Sequence, residues 1–481
     1  MTRSKWIGFV LGLGALVLFA TLPPLDPITA KGMWVVGIVL FTIIWWITSP
    51  VPLPVTSVFC VSLLVLSGAL ARDEAFSKLG HYIIWFLIGV YGVAKALEIS
   101  GFIKRFSLWV LTRGFIRGHP WVLVMMIILT IALTSTLITM LPAFILMTTM
   151  IVGILEQLGY SKGNKVAAAL MMGMTWAVSF GSLMLPFSSP MSLLAIDWIA
   201  QDTGYQITFV QWGMVAIPAG LLGCLLIVLV LKLMRPNIQG LAERSGDYLI
   251  PEYQKLGSLK GEEKIAIAVY LAVVVMWILS SMSSFLPESI SNFLTNNMGM
   301  AVPPLLGAGV LTLLRYRGQP LLTWPQWGKA VDWDTVLFVA AIFVIGGIVS
   351  NPDFGISAAM QKIFLPVSQG MSPPIFILFV VAWTVIQTNL MSNMVSMYVV
   401  YTPMLPIALE IGGINPVALG FLIRFGATMA FALPSATVVT AMVINQGWVT
   451  VKEMGLWGFL LAALVILTLS FPIYYFVSFV F

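Results

Sequence analysis

The chain has 481 residues, of which 60% are hydrophobic and 9% are charged, and its mean hydropathy is +1.02. A soluble globular protein has about 25% charged residues, so this composition excludes that class and indicates a polytopic membrane protein. The formal net charge is +6, but in a membrane protein the distribution of charge among the loops is more informative than its sum. The net charge therefore gives no reason to expect a nucleic-acid partner.

Apolar segments of roughly 17 to 25 residues recur along almost the whole chain, and each is long enough to cross a hydrocarbon core as a helix. Alternating β-barrel patterning is absent from the sequence, so the predicted fold class is all-α. The first span lies in residues 1–30 and is retained, because no small-residue cleavage site follows it. Three spans follow, and then a basic amphipathic segment at residues 101–118 that we expect to lie in the membrane interface.

Residues 119–156 are apolar apart from a polar interruption at residues 134–139. The interruption leaves about 15 residues of helix before it, which is too short to span the membrane comfortably. We therefore predict a re-entrant hairpin whose polar tip lies near the midplane and lines a cavity. The next helix, residues 166–200, is predicted to be broken within LPFSSPMS (185–192), where prolines and serines interrupt it.

Residues 235–264 form the only long hydrophilic segment and carry charges of both signs, so we predict a cytoplasmic linker there. The second half then repeats the plan of the first. It has a predicted re-entrant hairpin at residues 373–409 and a predicted broken helix at residues 416–446. The hairpin carries Ser392 and Asn393 in an otherwise apolar run, where a polar side chain is costly unless it has a partner or a ligand.

The two halves match each other in sequence at three places, in the same order. The matches, with their offsets, are Ser135-Thr136-x-x-Thr139-Met140 with Ser392-Asn393-x-x-Ser396-Met397 (257), Pro186 with Pro434 (248), and residues 86–102 with 338–354 (252). An odd number of crossings in each unit inverts the second copy, as in secondary transporters. We predict inverted repeats at residues 31–234 and 265–481, with about 11 transmembrane helices plus two re-entrant hairpins in all.

The basic residues predict the orientation of the chain. With the N-terminus in the cytoplasm, 18 of the 24 Lys and Arg residues fall in cytoplasmic loops, which satisfies the positive-inside rule. We therefore expect a multi-pass protein of the cell inner membrane with a cytoplasmic N-terminus and a C-terminus outside.

Four stretches of the chain resemble the divalent anion sodium symporter family, which contains di- and tricarboxylate and sulfate carriers. They are WWITSPVPLPVTSVF (45–59), FLIGVYGVAKALEISGFIKR (86–105), the Ser392-Asn393 tip and LPSATVVT (433–440). The resemblance implies two hairpin tips and two helix breaks that together hold two sodium ions and the substrate carboxylates. It also implies a homodimer whose scaffold surrounds a moving transport domain.

The chain departs from the family pattern at both tips. Ser135-Thr136-Leu137 and Ser392-Asn393-Met394 stand where the family has Ser-Asn-Thr. The fold is therefore expected to transfer from the resemblance, whereas dicarboxylate specificity is not.

The residue types at the tips and breaks suit sodium and an anion together. Unwound carbonyls and Ser, Thr or Asn side chains offer the oxygen ligands that sodium prefers, and half-helix N-termini favour an anion. The predicted sodium ligands are Ser135, Thr136 and Ser188 at one site, and Ser392, Asn393 and Thr437 at the other. The predicted substrate contacts are Ser135, Thr136, Ser189, Ser392, Asn393 and Thr437.

The resulting hypothesis is sodium-coupled symport of a divalent, dicarboxylate-like anion by alternating access, with sodium as the coupling ion and no other cofactor. A sodium-independent anion exchanger of the same fold is the first alternative. An enzyme is not expected, because the spans contain no nucleophile with a base and no paired carboxylates. A channel is less suited to broken helices in inverted copies.

Arg424 lies about eight residues into a span, where a charged side chain is costly. Its partner in the other repeat is Trp176. Three roles are open to it at this point: a contact to an anion in the cavity, a side chain that reaches water, or an ion pair with Glu410 or Asp353.

Overall fold

A computed structural model describes residues 3–349, 351–368, 370–434 and 437–481. Helices dominate both halves. The helices of the first half are α1 (Arg3–Thr21), α2 (Ala30–Thr48), α3 (Leu53–Leu66), α4 (Arg72–Ser77), α5 (Tyr82–Ile99), α6 (Phe102–Leu111), α7 (Pro120–Ile138), α8 (Met140–Gln157), α9 (Lys165–Met184), α10 (Pro190–Thr203) and α11 (Phe209–Leu233).

The rest of the chain continues in the same manner. Its helices are α12 (Leu241–Lys255), α13 (Gly261–Ser281), α14 (Glu288–Asn292), α15 (Val302–Leu313), α16 (Trp324–Ala330), α17 (Trp333–Val349), α18 (Ile356–Ser368), α19 (Pro373–Leu390), α20 (Asn393–Ile411), α21 (Pro416–Gly426), α22 (Val438–Asn445), α23 (Val451–Thr468) and α24 (Tyr474–Val480). A two-residue antiparallel ribbon, β1 (Arg315–Tyr316) with β2 (Gln319–Pro320), follows α15.

The protein is a polytopic all-α membrane protein, as the sequence predicts. Within the described residues, ten helical segments are long and apolar enough to cross a membrane, or up to 11 if the bent pair α16 and α17 forms one span. The ten include the four arms of the two hairpins, and the shorter apolar helices α1, α3, α15 and α21 fall outside them. The sequence analysis reached its number of about 11 by a different count. It treated the short apolar helices as spans and did not include the two hairpins.

Helix α9 forms the centre of the fold. Every residue from Val166 to Met184 is buried, which is the pattern of a helix surrounded by other helices. It packs against α7, α8 and α11. The approach of α7 is especially close, since a Cβ at Gly181 would lie 2.0 Å from the Ala132 carbonyl oxygen. A larger residue at this position would force the two helices apart.

Residues 119–156 form two helices that pack against each other, and of the predicted interruption at residues 134–139 only the last residue is outside the helices. Helix α7 continues to Ile138, and only Thr139 separates it from α8. The polar residues stay helical because their hydroxyls reach carbonyls one turn back: Thr134 donates to Thr130 at 2.7 Å. Such bonds satisfy a hydroxyl inside a helix. The interruption is at Thr139, whose φ of 88° is unusual for a β-branched residue.

The predicted linker at residues 235–264 contains a helix that the sequence analysis missed. Helix α12 buries Leu241, Ala242, Ser245 and Leu249 on one face and packs against α6 and α8. The other residues of α12 are mostly polar, and for this reason the segment resembles a loop in the sequence. The spacing of these four residues, at one and two helical turns, is the signal that indicates an amphipathic helix.

A buried arginine fixes the end of this linker to α6. Arg105 donates from Nε and Nη2 to the two carboxylate oxygens of Glu263, at 2.7 and 3.0 Å, and its guanidinium also reaches carbonyls of residues 256–258. Both side chains are more than nine-tenths buried. Removing one partner of such a pair leaves a buried charge without compensation.

We predict that Arg105→Gln lowers the free energy of unfolding by about 3 kcal/mol, because Glu263 then keeps an unpaired buried charge. The measurement is the apparent Tm in detergent, together with the rate of tryptic cleavage in residues 235–264. Lys104→Gln is the matched control, since Lys104 is half exposed and lies 3.9 Å from Glu252. Equal effects of the two substitutions would contradict the prediction.

Candidate functional site

Four helix N-termini line one cavity. The cavity has a volume of about 1100 Å³, and its wall includes the residue before each of four helices. These are Thr139 before α8, Ser189 before α10, Ser392 before α20 and Thr437 before α22. Because helix N-termini present free N–H groups and the positive end of the helix dipole, the cavity is suited to an anion.

Two tips and two breaks surround the cavity: tip 1 (residues 138–140), tip 2 (residues 390–393), break 1 (residues 185–189) and break 2 (residues 427–437). Residues 435 and 436 of break 2 lie outside the described residues. As far as the structure describes these segments, the hydroxyls of Thr139, Ser189 and Ser392 make no capping hydrogen bond to their own helices. They are therefore available to a ligand. The Thr437 hydroxyl instead accepts from the Thr440 backbone N–H at 3.1 Å.

Five of the seven predicted site residues line the cavity and two do not. Those on the wall are Ser188, Ser189, Ser392, Asn393 and Thr437. The other two, Ser135 and Thr136, are buried behind tip 1. There they bind break 1 and α9 rather than facing the cavity.

The contacts of Ser135 and Thr136 hold tip 1 on α9. Ser135 Oγ donates to the Val178 carbonyl oxygen at 2.9 Å, and Thr136 Oγ1 lies 2.9 Å from the Gly181 carbonyl oxygen. In the opposite direction, Ser188 Oγ of break 1 donates to the Thr136 carbonyl oxygen at 3.0 Å. The end of α7 that leads into tip 1 is thus joined by hydrogen bonds to the end of α9 and to break 1.

Two residues that the sequence analysis did not select do the same for tip 2. Thr388 Oγ1 donates to the Ala427 carbonyl oxygen at 2.6 Å. Asn389 Nδ2 donates to the Met429 carbonyl oxygen at 3.0 Å. Its Oδ1 accepts from the backbone N–H groups of residues 431 and 432, at 3.0 and 2.8 Å. A buried asparagine in an apolar run was the available signal for this role.

These hydrogen bonds correct the register between the two halves. Ser135 and Thr136 are equivalent to Thr388 and Asn389, because both pairs hold a tip on the carbonyls of the following broken helix. The offset is 253, and α20 likewise begins 253 residues after α8. The predicted offset of 257 is therefore not the structural one. Thr139, not Ser135, is the counterpart of Ser392.

Break 2 begins earlier than predicted. Helix α21 ends at Gly426, so the non-helical segment starts at residue 427 rather than at LPSATVVT (433–440). An unwound segment that is buried must find partners for its backbone groups. The side chain of Asn389 supplies three of them, which explains how this longer break is tolerated.

Charged side chains surround the other end of the cavity. Lys95 and Glu98 of α5 form an ion pair at 3.0 Å and line the cavity together with Lys104, Lys329 and Asp334. Lys104 is half exposed. The cavity therefore extends from the uncharged tips and breaks to a mouth of mixed charge on the side of α12.

Each tip has oxygen atoms in excess of the protons that could satisfy them. Thr136 Oγ1 lies 2.9 Å from both the Ala132 and Gly181 carbonyl oxygens, and Thr388 Oγ1 lies 2.6 Å from Ala427 O and 2.9 Å from Asn393 Oδ1. A hydroxyl has one proton, so it donates to only one of the two acceptors of each set at a time. Among the described residues, no group of three His, Cys, Asp or Glu side chains could hold a metal ion.

Arg424 takes none of the three roles considered from the sequence. Its side chain is fully buried and is not on the cavity wall. Nη2 donates to Ser192 Oγ at 2.9 Å and to the Ser182 carbonyl oxygen at 3.3 Å, and Nη1 donates to Thr428 Oγ1. Within the described part of the chain, no salt bridge includes Arg424. Ser182, however, does line the cavity.

Comparison with known proteins places the chain among anion carriers. A family model described as the sodium:sulfate symporter transmembrane region matches residues 3–479. SdcS of Staphylococcus saprophyticus, a sodium-dependent dicarboxylate transporter, is 22% identical over 485 residues, covering 98% of this chain and 92% of that protein. SdcS of Staphylococcus aureus strain USA300 is 22% identical over 483 residues, with coverage of 97% and 90%.

A solved structure has a similar fold. MtrF of Neisseria gonorrhoeae, described with a class of antimetabolite efflux pumps, matches with a TM-score of 0.58 over 98% of this chain and 94% of that chain. The sequence identity is 13%, so the likeness concerns the fold alone.

We predict that Asn389→Leu destabilises the protein by about 2–4 kcal/mol, because the N–H groups of residues 431 and 432 lose their acceptor while buried. The apparent Tm in detergent measures this. Thr384→Val, one turn earlier on α19, is the matched control, since the Thr384 hydroxyl bonds only to Val380 of its own helix. If both variants melted at the same temperature, Asn389 would not be what holds break 2.

Proposed function

This chain belongs to the sodium:sulfate symporter family, and we propose that it is a secondary transporter that moves a divalent, dicarboxylate-like anion together with sodium. The single observation that supports this most directly is the convergence of four helix N-termini, with their hydroxyl-bearing caps, on one cavity. Such ends bind an anion without a fixed basic residue.

A dicarboxylate suits the arrangement of these N-termini. Ser189 and Ser392 come from opposite halves of the chain, as do Thr139 and Thr437. Two carboxylates can therefore each meet an end from one half. Met140, Met394 and Val438 lie beside these caps, and their apolar surface favours a substrate with a hydrocarbon centre over a fully hydrated inorganic ion.

Sodium coupling follows from the surplus oxygens at the tips. The sets around Thr136 and Thr388 lie directly behind the caps that would hold the anion. A sodium ion there stabilises the anion by charge and fixes the tip against the break. Anion and cation then raise each other's affinity, which is the thermodynamic basis of coupling.

Alternating access is proposed to start from the conformation described here, with the cavity open at the side of Lys104 and Lys329. Lys104 of α6 and Lys329 of α16 belong to segments that the positive-inside rule assigns to the cytoplasm. The conformation is thus interpreted as inward-facing in a cell inner membrane. A sodium-independent exchanger is the second candidate, favoured by the fact that Ser135 and Thr136 are committed to carbonyls of α9.

We expect one divalent anion to raise the apparent Tm of the detergent-purified protein in sodium but not in choline, because a ligand of the folded state stabilises it. The panel contains succinate, sulfate and, as monovalent control, acetate. Ser392→Ala should abolish the shift, whereas Thr402→Val, whose hydroxyl bonds to its own helix at Tyr398, should keep it. Equal stabilisation in choline would favour the exchanger instead.

A second prediction concerns the side of the membrane on which the cavity is open. Thr149→Cys, on the cavity wall, should react with a membrane-impermeant maleimide in inside-out vesicles and not in right-side-out vesicles. The native Cys60 and Cys224 are buried and give little background. Ser77→Cys, in a segment predicted to lie outside, should show the reverse pattern. Labelling of Thr149→Cys from the outside alone would reverse the proposed orientation.

A further inference from the structure

We propose that Arg424 is a fixed cation that takes the electrostatic place of one coupling ion, so that anion binding requires one sodium ion fewer than the two tips would otherwise admit. The proposal rests on the proposed function, because it concerns the same cavity. It adds a role for a residue that neither lines the cavity nor has a carboxylate partner among the described residues.

The surroundings of the guanidinium are those of a cation site made from neutral oxygens. Its partners are the hydroxyls of Ser192 and Thr428 and the carbonyl oxygen of Ser182. Hydroxyl and carbonyl oxygens are also the ligands that sodium uses in broken transmembrane helices. The cluster is therefore chemically able to hold a mobile cation, and in this chain a side chain supplies the charge.

The location of Arg424 gives this charge access to the anion. Ser182, which accepts a hydrogen bond from Nη2, also lines the cavity. Arg424 lies two residues before the end of α21, and Ser182 lies two residues before the end of α9. From the C-terminal end of α21 the guanidinium contacts the C-terminal end of α9 at Ser182, and such ends favour a cation. Through Ser192 it also reaches the first turn of α10, next to the cap at Ser189 that favours the anion.

The contact that Arg424 makes has a counterpart in the other half of the chain, and that counterpart has the hydrogen bond but no charge. Trp176 Nε1 donates to the Phe431 carbonyl oxygen at 3.1 Å, from the first half to the second. Arg424 Nη2 donates to the Ser182 carbonyl oxygen from the second half to the first. The donors are 248 residues apart and the acceptors 249. The same cross-contact is therefore made by a neutral indole on one side.

This comparison shows what the arginine adds. If the contact only fastened the two halves together, a neutral donor would suffice, as it does at Trp176. A buried guanidinium without a carboxylate carries a desolvation cost that the indole avoids. A bound anion in the cavity is the partner that offsets the cost. Since Arg424 is always charged, its contribution to anion affinity does not depend on sodium.

The test measures how the affinity for succinate, used as the probe, depends on sodium in the full-length protein, with choline keeping the ionic strength constant. The variants are Arg424→Gln, which removes the charge, and Arg424→Lys, which keeps it. Trp176→Phe is the matched control, because it removes only the equivalent hydrogen bond.

We expect Arg424→Gln to lower succinate affinity about tenfold or more at limiting sodium and to recover it at high sodium. The slope of log affinity against log sodium concentration should increase by about one. Arg424→Lys and Trp176→Phe should keep the wild-type slope. An equal loss at all sodium concentrations would overturn the proposal in favour of a structural contact, and a loss with altered preference between succinate and sulfate at saturating sodium would make Arg424 a substrate ligand.

Two further measurements keep the proposal testable if Arg424→Gln does not fold or if succinate is not the substrate. In the wild type, the ratio of sodium to succinate carried into proteoliposomes should be one, and a ratio of two or more would overturn the proposal. With sodium alone and no anion, Arg424→Lys should match the wild-type rise in apparent Tm, whereas Arg424→Ala should gain an additional sodium-dependent rise, because the vacated oxygens can bind the ion. If that rise is absent the proposal fails, whereas the absence of succinate binding to wild type contradicts only the proposed function.

Discussion

A helix that ends inside a membrane leaves backbone N–H and C=O groups without partners, and this constraint governs the centre of the protein. At break 2 most partners come from Asn389, which accepts from two N–H groups and donates to one carbonyl, and Thr388 donates to a second carbonyl. Before break 1 the hydroxyls of Ser135 and Thr136 bind carbonyls in the last turns of α9, and Ser188 of the break donates to the Thr136 carbonyl oxygen. In both cases the hairpin tip supplies what the broken helix lacks. Tip and break are therefore expected to move as one unit.

The same constraint explains how the proposed site can hold ions through backbone groups and hydroxyls. Broken helices expose N-termini at Ser189 and Thr437, and the tips expose two more at Thr139 and Ser392. The C-terminal ends of α9 and α21 meet where Arg424 of α21 donates to the carbonyl oxygen of Ser182 of α9, a residue that also lines the cavity. N-terminal helix ends favour an anion in the cavity, and C-terminal helix ends favour a cation beside it. The charge distribution follows directly from where the helices stop.

Composition and hydropathy were sufficient to predict the all-α membrane fold, because the bilayer permits so few alternatives. The hairpin tips and breaks were predicted from polar residues that interrupt apolar segments, and Ser189 and Ser392 were identified in this way. The register could not be obtained from sequence, since the pair Ser135-Thr136 matches Ser392-Asn393 by residue type while it matches Thr388-Asn389 by contact. Residue type alone does not say whether a hydroxyl caps, bridges or faces a ligand.

The contacts between α5 and α10, on the side opposite the charged mouth, indicate how the protein stays closed on that side. Helices α5 and α10 both reach the cavity, at Lys95 and Ser189, and each continues away from it. At the far end Tyr82 of α5 donates to Asp197 of α10 at 3.3 Å, and Gln201 donates to the second oxygen of that carboxylate at 2.6 Å. This contact joins α10, which follows break 1, to α5, which does not belong to the tips or breaks. We expect opening on that side to break the bond between Tyr82 and Asp197, because α10 directly follows break 1.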